Sequence, residues 1–138
     1  MILGTKLLGL DNKVTGISVG AFSKTTILKT IEKSYEGAAN LLGVSDTLKS
    51  SDVSVLEQYA GSAYGLATKQ SLAALSTLAE TDGMILDPVY TSKAMAGLID
   101  LIQRGIIQKD QVVVFLHTGG LPALFSYRNE LNRLIKRR

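Results

Sequence analysis

The chain has no cysteine, so it builds no disulfide, no thiolate nucleophile and no Cys-ligated metal centre. It has a single histidine, His117, too few for a zinc site of the HExxH kind. No apolar run approaches the roughly 18 residues that a membrane-spanning helix needs. The opening MILGTKLLGL is apolar but short, carries only Lys6 as a charge and has no cleavage site, so it does not read as a secretory signal. These absences lead us to expect a cytoplasmic protein. Charge is also modest: 20% of residues are charged against 46% hydrophobic, the reverse of the balance that keeps a chain disordered. The 138 residues are enough for one domain with a single core, expected to run over 1–138.

The formal net charge of +3 is uneven. Arg128, Arg133, Lys136, Arg137 and Arg138 oppose only Glu130 near the C-terminus, so the last segment carries +4 and the remainder −1. Cations at a helix end complement the helix dipole. Nucleic-acid binding would ask for a broader basic face interleaved with aromatics, and the body of the chain has none. We therefore expect no nucleic-acid and no membrane partner.

Hydrophobic spacing predicts a short helix over Met1 to Leu10 and a β-branched strand over Val14 to Val19. Ser23 reads as the N-cap of a long helix with Ile27, Leu28, Ile31, Tyr35, Ala38, Ala39 and Leu42 at helical spacing, stopped by Gly43. Val53 to Gln58 reads as a second strand, and Gly61 to Gly65 as a glycine-bounded loop. A helix is expected over Thr68 to Ala79 and a short buried strand over Met84 to Leu86. Another helix is expected over Ser92 to Arg104. Val112 to Leu116 is five consecutive apolar residues, the pattern of a strand covered on both faces. A Thr-Gly-Gly turn, Pro122 at a helix start and a basic terminal helix follow. Alternating strands and helices predict an α/β fold: three layers, a mainly parallel sheet with helices on both faces.

In such sheets ligands sit beyond the carboxyl ends of the strands. That rule selects Gly20, the stretch Asp87 to Thr91, and His117 to Gly120. Tyr90 could serve as a general acid or base if its pKa were lowered, and Thr91 could hydrogen-bond a ligand. Equally, Pro88 could set a turn, Tyr90 pack and Thr91 cap a helix. The glycines after Thr118 allow close backbone approach to a flat ligand or a phosphate, or make an ordinary tight turn. Neither glycine set has Rossmann or Walker spacing.

The residues themselves go further. LDPVYT at Leu86 to Thr91, KAMAGLIDLI at Lys93 to Ile102 and FLHTGGLPALF at Phe115 to Phe125 closely resemble the C-terminal part of one family. It comprises the pyridoxal-phosphate enzymes D-cysteine desulfhydrase and 1-aminocyclopropane-1-carboxylate deaminase. LLGLDNKVTGISV and QYAGSAYG agree more loosely with its upstream parts, so the resemblance covers essentially the whole chain. It implies part of the large domain of a tryptophan-synthase β-like fold, pyridoxal 5'-phosphate as cofactor and a small amino-acid substrate. Tyr90 matches the catalytic tyrosine by the cofactor, and Tyr64 the second active-site tyrosine. Thr91 stands where the deaminases carry glutamate near the pyridine nitrogen, and Thr118 where they carry leucine. With Gly119 these two are the cofactor-binding residues the resemblance implies. Threonine at both points is the desulfhydrase pattern. A neutral hydroxyl draws less carbanion charge into the ring than a carboxylate would, which suits β-elimination of sulfide.

The family's Schiff-base lysine and phosphate loop lie upstream of the resembling region, and none of the ten lysines stands in a matching context. Lys93 matches only a helix residue after the tyrosine. Ser62-Ala63 replaces a common Pro-Gly, and Ala67 a usual proline. The expectation is thus a C-terminal fragment of a desulfhydrase-like lyase, inactive alone and completed by an N-terminal chain or assembled as a homo-oligomer. A deaminase-like activity or a non-catalytic structural remnant are the alternatives. No metal site is expected.

Overall fold

The computed structural model describes residues 1–135. The cations Lys136, Arg137 and Arg138, which carry most of the terminal charge, lie outside the described residues. The elements run α1 (Ile2–Leu7), β1 (Thr15–Ile17), α2 (Lys24–Leu42), β2 (Ser54–Leu56), α3 (Lys69–Thr81), α4 (Thr91–Gln103) and α5 (Arg128–Ile135), with 3₁₀ turns at Ser50–Asp52 and Leu121–Tyr127. β1 and β2 pair in parallel as a two-stranded sheet, so the architecture is a helix-rich, partial α/β fold. No described helix is long and apolar enough to cross a membrane.

The chain divides into two compact units: Met1–Gly16 with Phe22–Glu57, and Ile17–Ala21 with the chain from Gln58 onward. In the first, α2 begins where expected. Ser23 Oγ accepts from Thr26 N at 3.2 Å, and the helix ends at Gly43 in the left-handed region (φ 65°). Its apolar stripe buries Tyr35 and Ala39 against Leu3 of α1, with Val44 and Leu48 beside them. Lys6 Nζ joins this core to the loop after α2, donating to Asp46 Oδ1 at 2.6 Å and to Asp52 Oδ2 at 3.2 Å. Tyr35 donates to the same Asp46 oxygen at 2.5 Å. The hydrogen bond to Asp46 outweighs burial and holds the Lys6 amine well above the usual lysine range.

In the second unit α3 and α4 pack together around Ala74, Leu75, Leu86, Met95 and Ala96. Thr68 and Ser71 cap α3 reciprocally: Ser71 N donates to Thr68 Oγ1 at 3.0 Å and Thr68 N to Ser71 Oγ at 2.9 Å. Gly97 of α4 allows a close approach, since a β-carbon there would meet Ile17 Cδ1 at 2.9 Å and the Tyr59 ring at 3.1 Å. Tyr59 in turn donates to Asp100 Oδ2 at 2.5 Å.

Two expected strands are not formed among the described residues. Met84–Leu86 buries only Leu86, and 112–116 is irregular, with Val112 94% and Val114 84% exposed. The five-residue apolar run was expected to be covered on both faces; here it is not. A strand is defined by its hydrogen-bonded neighbours, and composition alone cannot supply them. Just beyond the run His117 Nε2 donates to Ile85 O at 3.1 Å, and Phe115 packs against the core cluster that holds Leu86.

Candidate functional site

The site is built around Asp87, where the chain leaves Leu86 and turns into α4. Asp87 is fully buried. Its Oδ2 accepts from Val89 N at 2.8 Å and Tyr90 N at 2.7 Å, and its Oδ1 from Thr91 N at 2.7 Å and Thr91 Oγ1 at 2.6 Å. A carboxylate in front of the first N–H groups of a helix is stabilised by them and by the dipole. Burial pushes the Asp87 carboxyl up, yet the hydrogen bonds from Thr91, Tyr90 and Val89 prevail and hold it below the usual range. Asp87 was expected as the first residue of a ligand-side loop, with no role of its own. Its organising role follows from an acidic side chain just before a helix, a pattern present in the sequence at Asp87 to Thr91.

This corner places Tyr90 at the mouth of α4 and Thr91 inside it. Thr91 is buried, and its hydroxyl both donates to Asp87 Oδ1 and accepts from Asp87 N at 2.9 Å. Its single donor is therefore committed, and one lone pair remains. Tyr90 is 37% exposed, and its hydroxyl is hydrogen-bonded to that of Tyr64, which is 60% exposed. The ring centroids are 6.1 Å apart with planes at 59°. The pair raises the Tyr90 pKa, through the Tyr64 hydrogen bond first, then burial and the nearby Tyr64 and Asp87 charges. A lowered pKa would have suited a base; the raised one keeps Tyr90 a neutral phenol, a proton donor.

The loop that carries Tyr64 is held at both ends. Lys93 Nζ donates to Ala60 O at 2.5 Å, and Tyr127 hydroxyl donates to Gly65 O. Gly65 has φ 78°, and a β-carbon on it would sit 3.5 Å from that hydroxyl. Sequence reading missed both anchors, because each partner lies far along the chain.

The Thr-Gly-Gly turn meets the same corner. Gly119 and Gly120 take φ 93° and 97°, conformations that favour glycine. Gly120 packs directly on the Asp87 carboxylate. Gly119 N donates to His117 Nδ1 at 3.1 Å, so the ring proton is on Nε2, which serves Ile85 O. His117 is thus a structural hydrogen-bonding residue. Thr118 is exposed on the turn. Tyr90, Thr91 and Gly120 thus meet at Asp87, and Tyr64 joins them through the Tyr90 hydroxyl.

A family model described as pyridoxal-phosphate dependent enzyme matches residues 4–119. The chain is 35% identical over 131 residues to a D-cysteine desulfhydrase of Yersinia enterocolitica, covering 95% of this chain and 39% of that protein. It is 35% identical over 127 residues to a 1-aminocyclopropane-1-carboxylate deaminase of Bradyrhizobium diazoefficiens, covering 92% and 37%. A solved structure described as an ACC deaminase homologue superposes with TM-score 0.82 at 32% identity, over 96% of this chain and 38% of that one. The chain thus spans less than two fifths of the length of these relatives, and it matches their C-terminal part.

Proposed function

Because the chain belongs to the family of pyridoxal-phosphate-dependent enzymes, we propose that it is the C-terminal part of a D-cysteine desulfhydrase-like lyase. Its role there is to carry the two tyrosines and the glycine turn. The assembled enzyme would convert D-cysteine and water to pyruvate, sulfide and ammonia. The observation that carries this reading is the pair of Tyr64 and Tyr90 hydroxyls beside a neutral threonine at position 91.

The residues present fit one side of the cofactor and not its attachment. Lys93, the lysine that follows the tyrosine corner, is fully buried and donates to two backbone carbonyls, so it offers no amine for covalent capture. In this reading the anchoring lysine and the phosphate loop come from the portion of the relatives that lies outside the match, whether in a complementing chain or in a longer polypeptide. When bound, the cofactor supplies an electron sink. The chain supplies Tyr90 as a neutral phenol able to give a proton to the departing sulfur, Tyr64 to orient it, and a glycine turn able to approach a flat ring closely. Thr91, buried with its hydroxyl on Asp87, brings no negative charge of its own.

The test combines the chain with the N-terminal remainder of the Yersinia enterocolitica enzyme. We expect cofactor absorbance in the mixture and sulfide release from D-cysteine in excess of ammonia release from 1-aminocyclopropane-1-carboxylate. The reverse preference would favour the deaminase-like reading. Neither product, from a complex that does form, would leave a structural module.

A further inference from the structure

We propose that Lys93 is a positioning residue for the tyrosine pair: its amine ties the base of the Tyr64 loop to the helix that presents Tyr90, and so sets the two hydroxyls against each other. The purpose of this clamp rests on the lyase reading; its existence does not.

Lys93 has no exposed surface. Its Nζ donates to Ala60 O at 2.5 Å and to Val19 O at 3.0 Å. The first carbonyl precedes Tyr64 by four residues, at the start of the glycine-bounded loop; the second ends the segment that follows β1. Lys93 itself lies three residues after Tyr90, one helical turn on and on the same face. One amine therefore joins three stretches of chain that are remote in sequence. The far end of the loop is held separately by Tyr127 on Gly65, which leaves Tyr64 suspended between two fixed points.

Among the described residues no carboxylate faces the amine, and burial pushes it below the usual lysine range. A buried amine without an anion is costly, and an apolar side chain of the same length would fill the space without that cost. A lysine here is accounted for by what its hydrogens do. Two carbonyls are two acceptors, which an amine satisfies even when neutral, and a thioether or methyl cannot satisfy them at all. Gly61, with φ 80°, lets the loop come this close, since a β-carbon on it would sit 2.8 Å from Thr68 Cγ2 and 3.8 Å from Lys93 Nζ.

The experiment uses the full chain and needs neither cofactor nor activity. Tyrosine rings are carbon-13 labelled, and Tyr90, assigned from Y90F, is followed through its titration by NMR. Wild type is compared with K93C, whose thiol is unique because the sequence has no cysteine. Alkylated in denaturant with 2-bromoethylamine and refolded, K93C regains an amine of lysine length; alkylated with 1-bromopropane it gains an apolar chain of that length. Tyr90 is faced by Tyr64, Asp87 and Tyr127, and all three are kept. We expect the Tyr90 midpoint to stay raised in wild type and in the aminoethylated chain. In the propylated chain we expect it to shift downward, because the Tyr64 hydroxyl no longer sits against it. A Tyr90 midpoint unchanged in the propylated chain overturns the proposal. If that chain does not refold, acetylation of native wild type decides. Lys93 reacting more slowly than the exposed Lys24 and Lys29 supports the clamp, and Lys93 reacting at their rate overturns it. Failure of the clamp leaves the lyase reading standing, and absence of lyase activity leaves these readouts unchanged.

Discussion

Gly120 lies flat against the carboxylate of Asp87: a β-carbon on Gly120 would fall 2.7 Å from Asp87 Cγ and 2.9 Å from its Oδ1. Neither partner can give way. The carboxylate is fixed by four hydrogen bonds at 2.6–2.8 Å, and Gly120 holds φ 97°. The strandless segment after α4 and the tyrosine corner are thereby registered on each other by a missing side chain.

Replacing Gly120 with alanine adds both the collision and the cost of a left-handed backbone. A non-glycine residue in that region costs of order 1–3 kcal/mol before any clash. G120A is expected to lose at least about 2 kcal/mol of stability in urea unfolding. G119A, at φ 93° but with nothing within 4 Å of its β-carbon, is expected to lose less. Equal losses would mean that the contact with Asp87 carries no weight beyond backbone strain.

Asp87 also sets an acid limit. Its carboxyl is lower in the folded chain than in the unfolded one, so its stabilisation is fully present above the unfolded value of about 3.9. It is lost as pH falls through the folded value. Asp46, Asp52 and Asp100 shift in the same direction and add to the slope. D87N turns one accepting oxygen into a donor facing N–H groups. It is expected to cost about 3 kcal/mol near neutral pH and to flatten the loss of stability on acidification. Urea midpoints measured from neutral pH down through the carboxylate range check both; an unchanged acid slope in D87N would remove Asp87 from the account.

The helices were largely legible because their signals are local. Ser23 and Gly43 bound α2 as expected, and Thr68 caps α3. Tyr64 and Tyr90, the two tyrosines that the resemblance singles out, are hydrogen-bonded to each other. What pattern could not convey is pairing at a distance: Lys93 reaches Ala60 across 33 residues and Val19 across 74, and Tyr127 reaches Gly65 across 62. Each of these donors reads locally as a helix lysine or a packing tyrosine. The apolar run at 112–116 misled for the complementary reason, since hydrophobicity marks a segment that wants covering and says nothing about whether a neighbour is there.

Gly97 gives a packing test inside α4. In an exposed helix, glycine to alanine gains roughly 0.5–1 kcal/mol. Here the new methyl would meet Ile17 Cδ1 at 2.9 Å and the Tyr59 ring at 3.1 Å, and the ring is pinned by its hydrogen bond to Asp100. Overpacking of this kind costs typically about 1–3 kcal/mol, so it outweighs the propensity gain. G97A is expected to be net destabilising by about 1 kcal/mol, read as a lower urea midpoint at unchanged slope. A rise in the midpoint would show that the Tyr59 ring yields freely.

The exposed apolar run makes a prediction about association. Val112 and Val114 are 94% and 84% exposed, in an irregular segment with no strand beside it among the described residues. Such a segment offers unpaired backbone groups and an apolar surface together, the combination that recruits another chain. Substituting both valines by lysine changes no buried contact, so V112K/V114K is expected to stay within about 0.5 kcal/mol of the wild-type stability. Its effect falls on sedimentation: the wild-type chain should shift to larger species as concentration rises, and the variant should remain monomeric over the same range. The same variant should fail to assemble with the N-terminal remainder of a relative, because a strand position carrying two lysines cannot be covered on both faces. A wild-type chain that is monomeric at every concentration, and a variant that assembles as well as wild type, would mean that the run stays in solvent in the working protein.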